Sequence, residues 1–544
     1  MSLLLTFKLL RSVLGLPNTL GSSDWQPANE NAVSAYDNAS VNVVTDTRAL
    51  QGNNESKESH ERNKAGDKRS VDVFCALKGQ NFDGHDYLSG AFEAGVRFFI
   101  CSCKASLESL RKVTTAEQEV LVFLVKDSEK ALQDIARACR ERYSYPVISL
   151  TGSSGKTTVK EWATAMLEQN ASVLKTEGNF NNELGVPFTL FRLKDSHNFA
   201  VIEAGAGKRG DIALLADIIR PTIALVNNIQ EAHLQGFGSR QAIADEKGAL
   251  YESKNLKYAV VNLESNFREH FEKRIAANVQ QVKLIGFTTN IANIDGITCS
   301  ESGMAQYDLL VFSRNMRVDS RGCCAFDLVI HDQNLNRYEQ FSSGISIQLN
   351  VPGRHQVANA LATVSLAVAA GINAADIATG LQNFSGVAGR MRLHKLAGFT
   401  LVDDSYNANP GSVRAAIDYL ASCSMSWLVL GDMAELGEKT MECHEQIGAY
   451  AKGKISRLYS VGSESKHAQK AYLDQEQEGA PRRHFDDKKS LLKQLNLDLK
   501  TLKNNAANDS SIDSSMSPVL LIKGSRSAGL EKLVEAIVEE REAC

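Results

Sequence analysis

Short apolar runs alternate along the chain with stretches whose apolar positions recur at helical spacing. Val147-Ile-Ser-Leu-Thr151 reads as a buried strand, and Val159, Trp162, Ala163, Met166 and Leu167 line one face of a helix from Lys156 to about Gln169. A Gly/Ser-rich turn, Gly152-Ser-Ser-Gly155, joins them. Asn198–Glu203, Ile223–Asn228 and Tyr258–Asn262 repeat the strand signal with helical text between. Strands alternating with helices predict a parallel sheet covered on both faces, with ligands at the carboxyl ends of the strands, where Glu203, Asn227 and Asn228 fall. From Gly296 to Leu349 the text turns strand-rich, predicting an antiparallel extension, and Val351-Pro-Gly-Arg-His355 introduces an alanine-rich helix, Val357–Ala370.

The flanks follow the same rule on a smaller scale. Met1–Arg11 reads as an amphipathic helix; Val41–Arg48, Val71–Gly79 and Val96–Cys101 carry strand signals, and Lys126–Tyr143 a helix leading into the glycine turn. Gly386–Arg392 looks like a linker into a further unit with strands at Thr400–Asp403, Trp427–Leu430, Arg457–Val461 and Val519–Ile522 and a helix at Ser412–Ala421. Residues 51–70 and 504–517, almost without apolar side chains, read as polar insertions. The expectation is an α/β protein of three domains: a small one over 1–125, a central parallel-sheet domain over 126–388 and a Rossmann-like one over 389–544.

Composition narrows the function. A net charge of −4 gives no broad basic surface for nucleic acid or anionic lipid. The ten cysteines lack paired C-x-x-C spacing, so reduced thiols and a cytoplasmic location are expected. Lys8 and Arg11 interrupt the apolar opening, and no membrane span is expected elsewhere.

The chemistry starts at the glycine turn. A loop between a strand and a helix N-terminus offers backbone N–H groups to a polyphosphate, Lys156 adds an ammonium and Thr157 a hydroxyl for Mg²⁺. Leu150 stands where the usual phosphate-loop pattern has its first glycine. Glu203, at a strand end, suits a hard cation; His233, in a glycine-punctuated loop, is a weaker candidate.

Seven strings together carry a resemblance. Thr151–Thr158, Thr176–Pro187, Arg220–Asn228, Ala232–Gly238, Asp404-Ser-Tyr-Asn-Ala-Asn409, Leu430-Gly-Asp-Met-Ala-Glu-Leu-Gly437 and Lys523-Gly-Ser-Arg-Ser527 resemble the Mur ligases, in order and over nearly the whole chain. The last two strings look most like the member type that adds D-alanyl-D-alanine to UDP-N-acetylmuramoyl-tripeptide. A monomer is expected, and the resemblance implies that it forms an amide with ATP and two Mg²⁺ ions through an acyl phosphate and a tetrahedral intermediate, in peptidoglycan precursor synthesis. It assigns Gly152, Ser153, Ser154, Gly155, Lys156, Thr157, Thr158, Asn359, Arg390 and Asp404 to ATP, and Thr47, Arg48, Lys78, Gly79, Asn182 and Asn407 to the other substrates. Lys156, His233, Lys247 and Arg526 would be catalytic, with Thr157, Glu203, His233 and Lys247 at the metal ions and Lys247 carbamylated. After Glu203, relatives typically read Leu-Gly-Ala-Asn-His-x-Gly-Glu, whereas this chain has Ala204-Gly-Ala-Gly-Lys-Arg-Gly-Asp211, and Ala249 stands where an acidic residue often follows. A sister Mur or folylpolyglutamate-type ligase, or a nucleotide switch that only closes its domains on ATP, are the alternative readings.

Overall fold

Strands buried on both faces need helices on either side, and their near-continuous apolar text answers that need. The computed structural model describes residues 5–20, 25–47, 70–79, 81–114, 120–230, 234–277, 281–290, 307–332, 336–473, 483–508 and 518–542. It divides into two compact units, one of Met1–Val147, Ala171–Ala204 and Leu214–Pro221, the other of Ile148–Asn170, Gly205–Ala213 and Thr222–Cys544.

In the first unit, β1 (Asn18–Leu20), β2 (Trp25–Pro27), β3 (Ser40–Val44), β4 (Ser70–Cys75), β5 (Phe98–Cys101) and β6 (Leu121–Leu124) form a sheet in the order β2-β1-β6-β5-β4-β3. Strands β3 to β6 pair in parallel; β1 pairs antiparallel with β6 and β2. Phe74, Leu88, Phe92, Phe99 and Val122 pack one core on it. The amphipathic segment at the start is the helix Phe7–Leu14, opened by Thr6, whose hydroxyl accepts from Leu9 N at 3.3 Å. Phe7 meets Phe98 edge-on at 5.1 Å, so its apolar face is spent on the sheet. The same unit holds the parallel pair β8 (Val173–Lys175) and β9 (Phe199–Glu203).

The helix Ser128–Glu141 ends on a buried charge. The Arg140 guanidinium donates to Ile219 O at 2.8 Å, Tyr143 O at 2.6 Å and Arg220 O at 2.9 Å, and burial draws its pKa down to about 10. Its partner Arg220 has φ +44 immediately before Pro221, a conformation a β-carbon resists, and Arg140 fixes the carbonyls on either side of that residue's nitrogen and α-carbon.

The second unit carries β7 (Val147–Thr151), β10 (Ile223–Val226), β11 (Tyr258–Asn262), β12 (Lys283–Thr288) and β13 (Leu309–Val318) in parallel, then β14 (Cys323–Asp332) and β15 (Ile345–Pro352) antiparallel. Their order is β15-β14-β13-β12-β11-β10-β7, so the antiparallel extension expected from the text beyond Gly296 is present. The alanine-rich helix starts earlier than its spacing suggests, at His355, and runs to Ala370. Trp162 stacks on Phe384 at 4.4 Å and donates to Gly380 O at 3.1 Å.

A third sheet runs β16 (Arg392–Leu396), β17 (Phe399–Asp404), β21 (Val519–Lys523), β18 (Ser426–Gly431), β19 (Arg457–Val461) and β20 (His484–Phe485), parallel apart from β16. Cores built on Leu428, Leu430 and Leu521 and on Trp427, Val429 and Leu520 cover its two faces. Two expectations change here. A strand begins at Arg392, where the text read as linker, because a half-exposed edge strand has no apolar run to announce it. The helix Lys488–Asn508 also runs into the segment expected to be irregular from 504; 509–517, like most of 51–70, lie outside the described residues. Among the described residues no helix is long and apolar enough to cross a membrane.

Replacing Arg140 with methionine keeps much of its volume but strands two buried carbonyls and a third that is partly buried. At about 1–3 kcal/mol for each buried acceptor left unsatisfied, the Arg140→Met variant is expected to lose several degrees from its first thermal transition by calorimetry.

Candidate active site

The phosphate loop is held by carboxamides. Asn227 and Asn228 sit just past β10, and their positions follow from its parallel register with β7, in which Val226 faces Thr151. Asn228 accepts from Ser154 N through Oδ1 at 2.9 Å and donates from Nδ2 to Ser154 O at 3.0 Å, while its own carbonyl accepts from Ser153 N at 3.0 Å. Gln230 accepts from the Ser154 hydroxyl at 2.7 Å, and its backbone N–H donates to Ser153 Oγ at 2.9 Å. Asn227 donates to Ser154 O at 3.1 Å and to Asn359 Oδ1 at 3.2 Å, and Asn359 donates to Gln356 Oε1 at 3.0 Å.

Gly155 is where this network permits one residue type. Its φ is +76, and a β-carbon there would lie 2.5 Å from Asn359 Oδ1 and 2.7 Å from Asn227 Nδ2. It precedes the helix Lys156–Leu167, whose first-turn amides have no intrahelical acceptors by helix geometry and present a positive end to anions. The Lys156 ammonium folds back to Gly152 O at 2.7 Å; Thr157 and Thr158 are buried beside it. The arrangement has the chemistry to cradle a polyphosphate.

A second set gathers on the loop after β17. Asp404 accepts from Lys523 Nζ at 2.5 Å, and that ammonium also donates to Asn407 O at 3.0 Å. Burial pushes the Asp404 carboxyl up, against the pull of the adjacent ammonium. The guanidinium carbons of Arg390 and Arg526 lie 4.2 and 5.1 Å from the Tyr406 ring centroid. Asn409 caps the helix Pro410–Ala421 and donates to the phosphate loop at Ser154 Oγ, 3.3 Å away. His355, opening the helix that carries Asn359, has its pKa drawn down to about 4 by desolvation and by the nearby Lys523 ammonium.

The Mur ligase middle domain model matches residues 150–367, the Mur ligase glutamate ligase domain 389–503 and the Mur ligase family catalytic domain 68–140. The UDP-N-acetylmuramoyl-tripeptide–D-alanyl-D-alanine ligase of Escherichia coli K12 is 35% identical over 86% of this chain and 91% of its own. The chain belongs to the Mur ligase family. A crystal structure of MurF from Acinetobacter baumannii superposes with TM-score 0.74 at 26% identity, covering 98% of this chain and 99% of that one. The fold alone is shared with MurF ligase from Thermotoga maritima in complex with ADP, at 24% identity and TM-score 0.67, covering 93% and 98%.

With the Mur ligase fold in place, the residues singled out from the sequence divide into groups. Gly152 to Thr158 and Asn359 form one contiguous network, and Arg390, Asp404 and Arg526 gather around Tyr406, with Asn407 following it in the same loop. Lys247 is almost wholly buried on the helix Arg240–Gly248, so a solvated surface role is excluded. In the first unit, Glu203 accepts from Asn181 Nδ2 at 2.9 Å, Asn182 caps Gly185 N at 2.8 Å, and Thr47 follows β3. Lys78 is exposed, 3.9 Å from Asp83, and Gly79 leaves room for the Phe82 ring, 2.9 Å from where its β-carbon would be. Asp83 in turn orients buried His85 at 2.6 Å, and His85 Nε2 accepts from Ser102 N at 3.1 Å. Arg48 and His233 lie outside the described residues. Gln230, Gln356, Tyr406, Asn409 and Lys523 escaped the sequence reading as site residues; places inside or beside the matched strings could have flagged all of them but Gln356, which lies near none.

Gly155→Ala is expected to weaken ATP binding at least about ten-fold by calorimetric titration, since both the backbone and the Asn227–Asn359 contact must shift. His355 gives a pH signature. A histidine whose folded pKa lies below its unfolded value binds fewer protons when folded, so its contribution to stability is lost as pH falls from about 6.5 toward about 4. His355→Asn is expected to flatten the unfolding free energy across that window in a urea titration series.

Proposed function

We propose that this Mur ligase joins D-alanyl-D-alanine to the terminal carboxylate of UDP-N-acetylmuramoyl-tripeptide, with ATP converted to ADP and phosphate, in peptidoglycan precursor synthesis. The observation that carries the reading is the closed phosphate cradle, fixed by Asn227, Asn228 and Asn359, in a chain whose curated relative acts on these substrates. A carboxylate does not exchange hydroxide for an amine at neutral pH. The γ-phosphoryl group therefore passes first to the carboxylate oxygen with loss of ADP; the amine then attacks that carbon, loses a proton, and phosphate departs.

In this reading Lys156 and the first-turn amides hold the triphosphate, and Arg390 and Arg526 face the negative charge that grows in each step. Thr157 offers a hydroxyl beside the cradle, a hard donor of the kind Mg²⁺ selects, and the ion when bound would offset phosphate charge; in the first unit Glu203 offers a carboxylate of the same hard type at a strand end. Lys247, almost wholly buried on the helix Arg240–Gly248, is the lysine proposed to carry the carbamate. Thr47, Lys78, Gly79 and Asn182 remain the residues proposed for the UDP-linked substrate. The location follows from the substrates: ATP and a nucleotide-linked precursor place the reaction in the cytoplasm.

Phosphate release by the purified protein is expected only when ATP, the UDP-tripeptide and D-alanyl-D-alanine are all present, with the coupled product seen by mass spectrometry. Release independent of both acceptors would instead mark a nucleotide switch. Lys156→Ala is expected to reduce turnover by about 10²–10³-fold, the scale of one lost charge-stabilising donor. Lys247→Ala should lose most activity and recover part of it in formate or acetate, whereas full activity without added carboxylate would remove the carbamate.

A further inference from the structure

We infer that Tyr406 is a positioning residue, whose ring face sets the guanidiniums of Arg390 and Arg526 for the phosphoryl group in transfer; the inference rests on the ligase reading. The two arginines come from distant segments, one from the turn ahead of β16 and one from the turn Arg526–Ala528 after β21. Both guanidinium carbons lie over the same ring, at 4.2 and 5.1 Å from its centroid. Among the described residues neither guanidinium is ion-paired, whereas the third cation of this cluster, Lys523, is spent on Asp404.

Like charges held near one another repel, and the negative face of an aromatic ring offsets part of that cost while leaving the in-plane N–H donors open. The backbone fixes the ring in place. Tyr406 N donates to Gly389 O at 3.0 Å, and Gly389 N donates to Asp403 Oδ2 at 2.8 Å. Gly389 has φ +74, and a β-carbon on it would lie 3.0 Å from Tyr406 Cβ, so the residue before Arg390 is pressed against the tyrosine. Two cations arranged before charge develops need no rearrangement as it grows. The ring acts through the arginines.

The full-length protein supplies the test, with acceptor-dependent phosphate release by the unaltered chain measured first. Its absence removes the ligase reading itself. Given that activity, Tyr406→Leu is expected to lower kcat about ten-fold, the upper range of a partly desolvated cation–π contact, with KM for D-alanyl-D-alanine little changed. Tyr406→Phe retains near-normal kcat, and successively fluorinated phenylalanines at position 406, which keep the shape and strip the ring's negative face, lower kcat stepwise. In an Arg526→Ala background the Tyr406→Leu loss shrinks to about three-fold. Full activity in the leucine variant, a phenylalanine variant as poor as leucine, or a loss unchanged by Arg526→Ala would each overturn the role. If the leucine variant fails to fold, the fluorinated series decides: a flat kcat across it overturns the inference.

Discussion

Gly155 lies under two carboxamides, and the geometry of the phosphate cradle depends on that contact. Asn227 and Asn359 approach so closely over its α-carbon that no side chain fits, and the left-handed φ of +76 is what turns the chain from β7 into the following helix. The arrangement costs conformational entropy at the glycine, and it is offset by donors and acceptors that are nearly all satisfied. Asn262 extends the network by donating to Asn227 O at 2.9 Å, so the ends of β10 and β11 brace the loop from below. A cradle braced in this way presents its amides without first having to order them.

The same loop is tied to the third sheet. Ser154 receives a hydrogen bond from Asn409, and Gln230, which binds the Ser154 hydroxyl, packs where a β-carbon on Gly411 would be, 2.6 Å from its Oε1. Further away, the β13–β14 turn presses Gly322 against Tyr419 on the helix Pro410–Ala421, and the Tyr419 hydroxyl donates to Arg321 O at 3.3 Å. Both contacts are small, polar or edge-on, unlike the apolar cores on either side of the third sheet. Such contacts can open and re-form at modest cost.

The sequence made the architecture legible where periodicity is strong. β7, β10, β11 and the helices after them follow apolar runs that only a doubly covered sheet demands, and β11 has the bounds the text suggests. Legibility fails where a strand is half exposed, as at Arg392–Leu396, and where a helix outruns its apolar stripe, as Lys488–Asn508 does beyond Leu499 into the polar text from Asn504. The phosphate loop was visible because backbone chemistry imposes its spacing. The residues that brace it, Gln230, Gln356 and Asn409, are polar side chains from separate segments, and nothing local marks them. Tyr406 shows the limit: its neighbours in sequence looked chemical, but the ring's use emerges only once Arg390 and Arg526 are brought over it.

The segment that departs from the usual Mur ligase text shows how backbone can replace side chains. Asp211 accepts from Gly207 N at 2.9 Å and Lys208 N at 3.0 Å, and Glu246 accepts from Gly210 N and Ile212 N, each at 2.7 Å. Four amides at and before the start of the helix Asp211–Ile219 are thus satisfied by two carboxylates, and neither needs a side chain at 207 or 208. The Gly207 carbonyl lies where a β-carbon on Gly236 would be, so the position in this contact that requires glycine is 236. An Asn at 207 would have kept the caps, because they use its N–H, and its β-carbon would have met nothing within 4 Å, so neither the capping nor the packing requires the glycine at 207. Glu246 is spent on amides, and its neighbour Lys247 points elsewhere on the helix, since adjacent residues do not share a face. The burial of that lysine is therefore a separate property of the site, set by the packing around Arg240–Gly248 and not by the residue beside it.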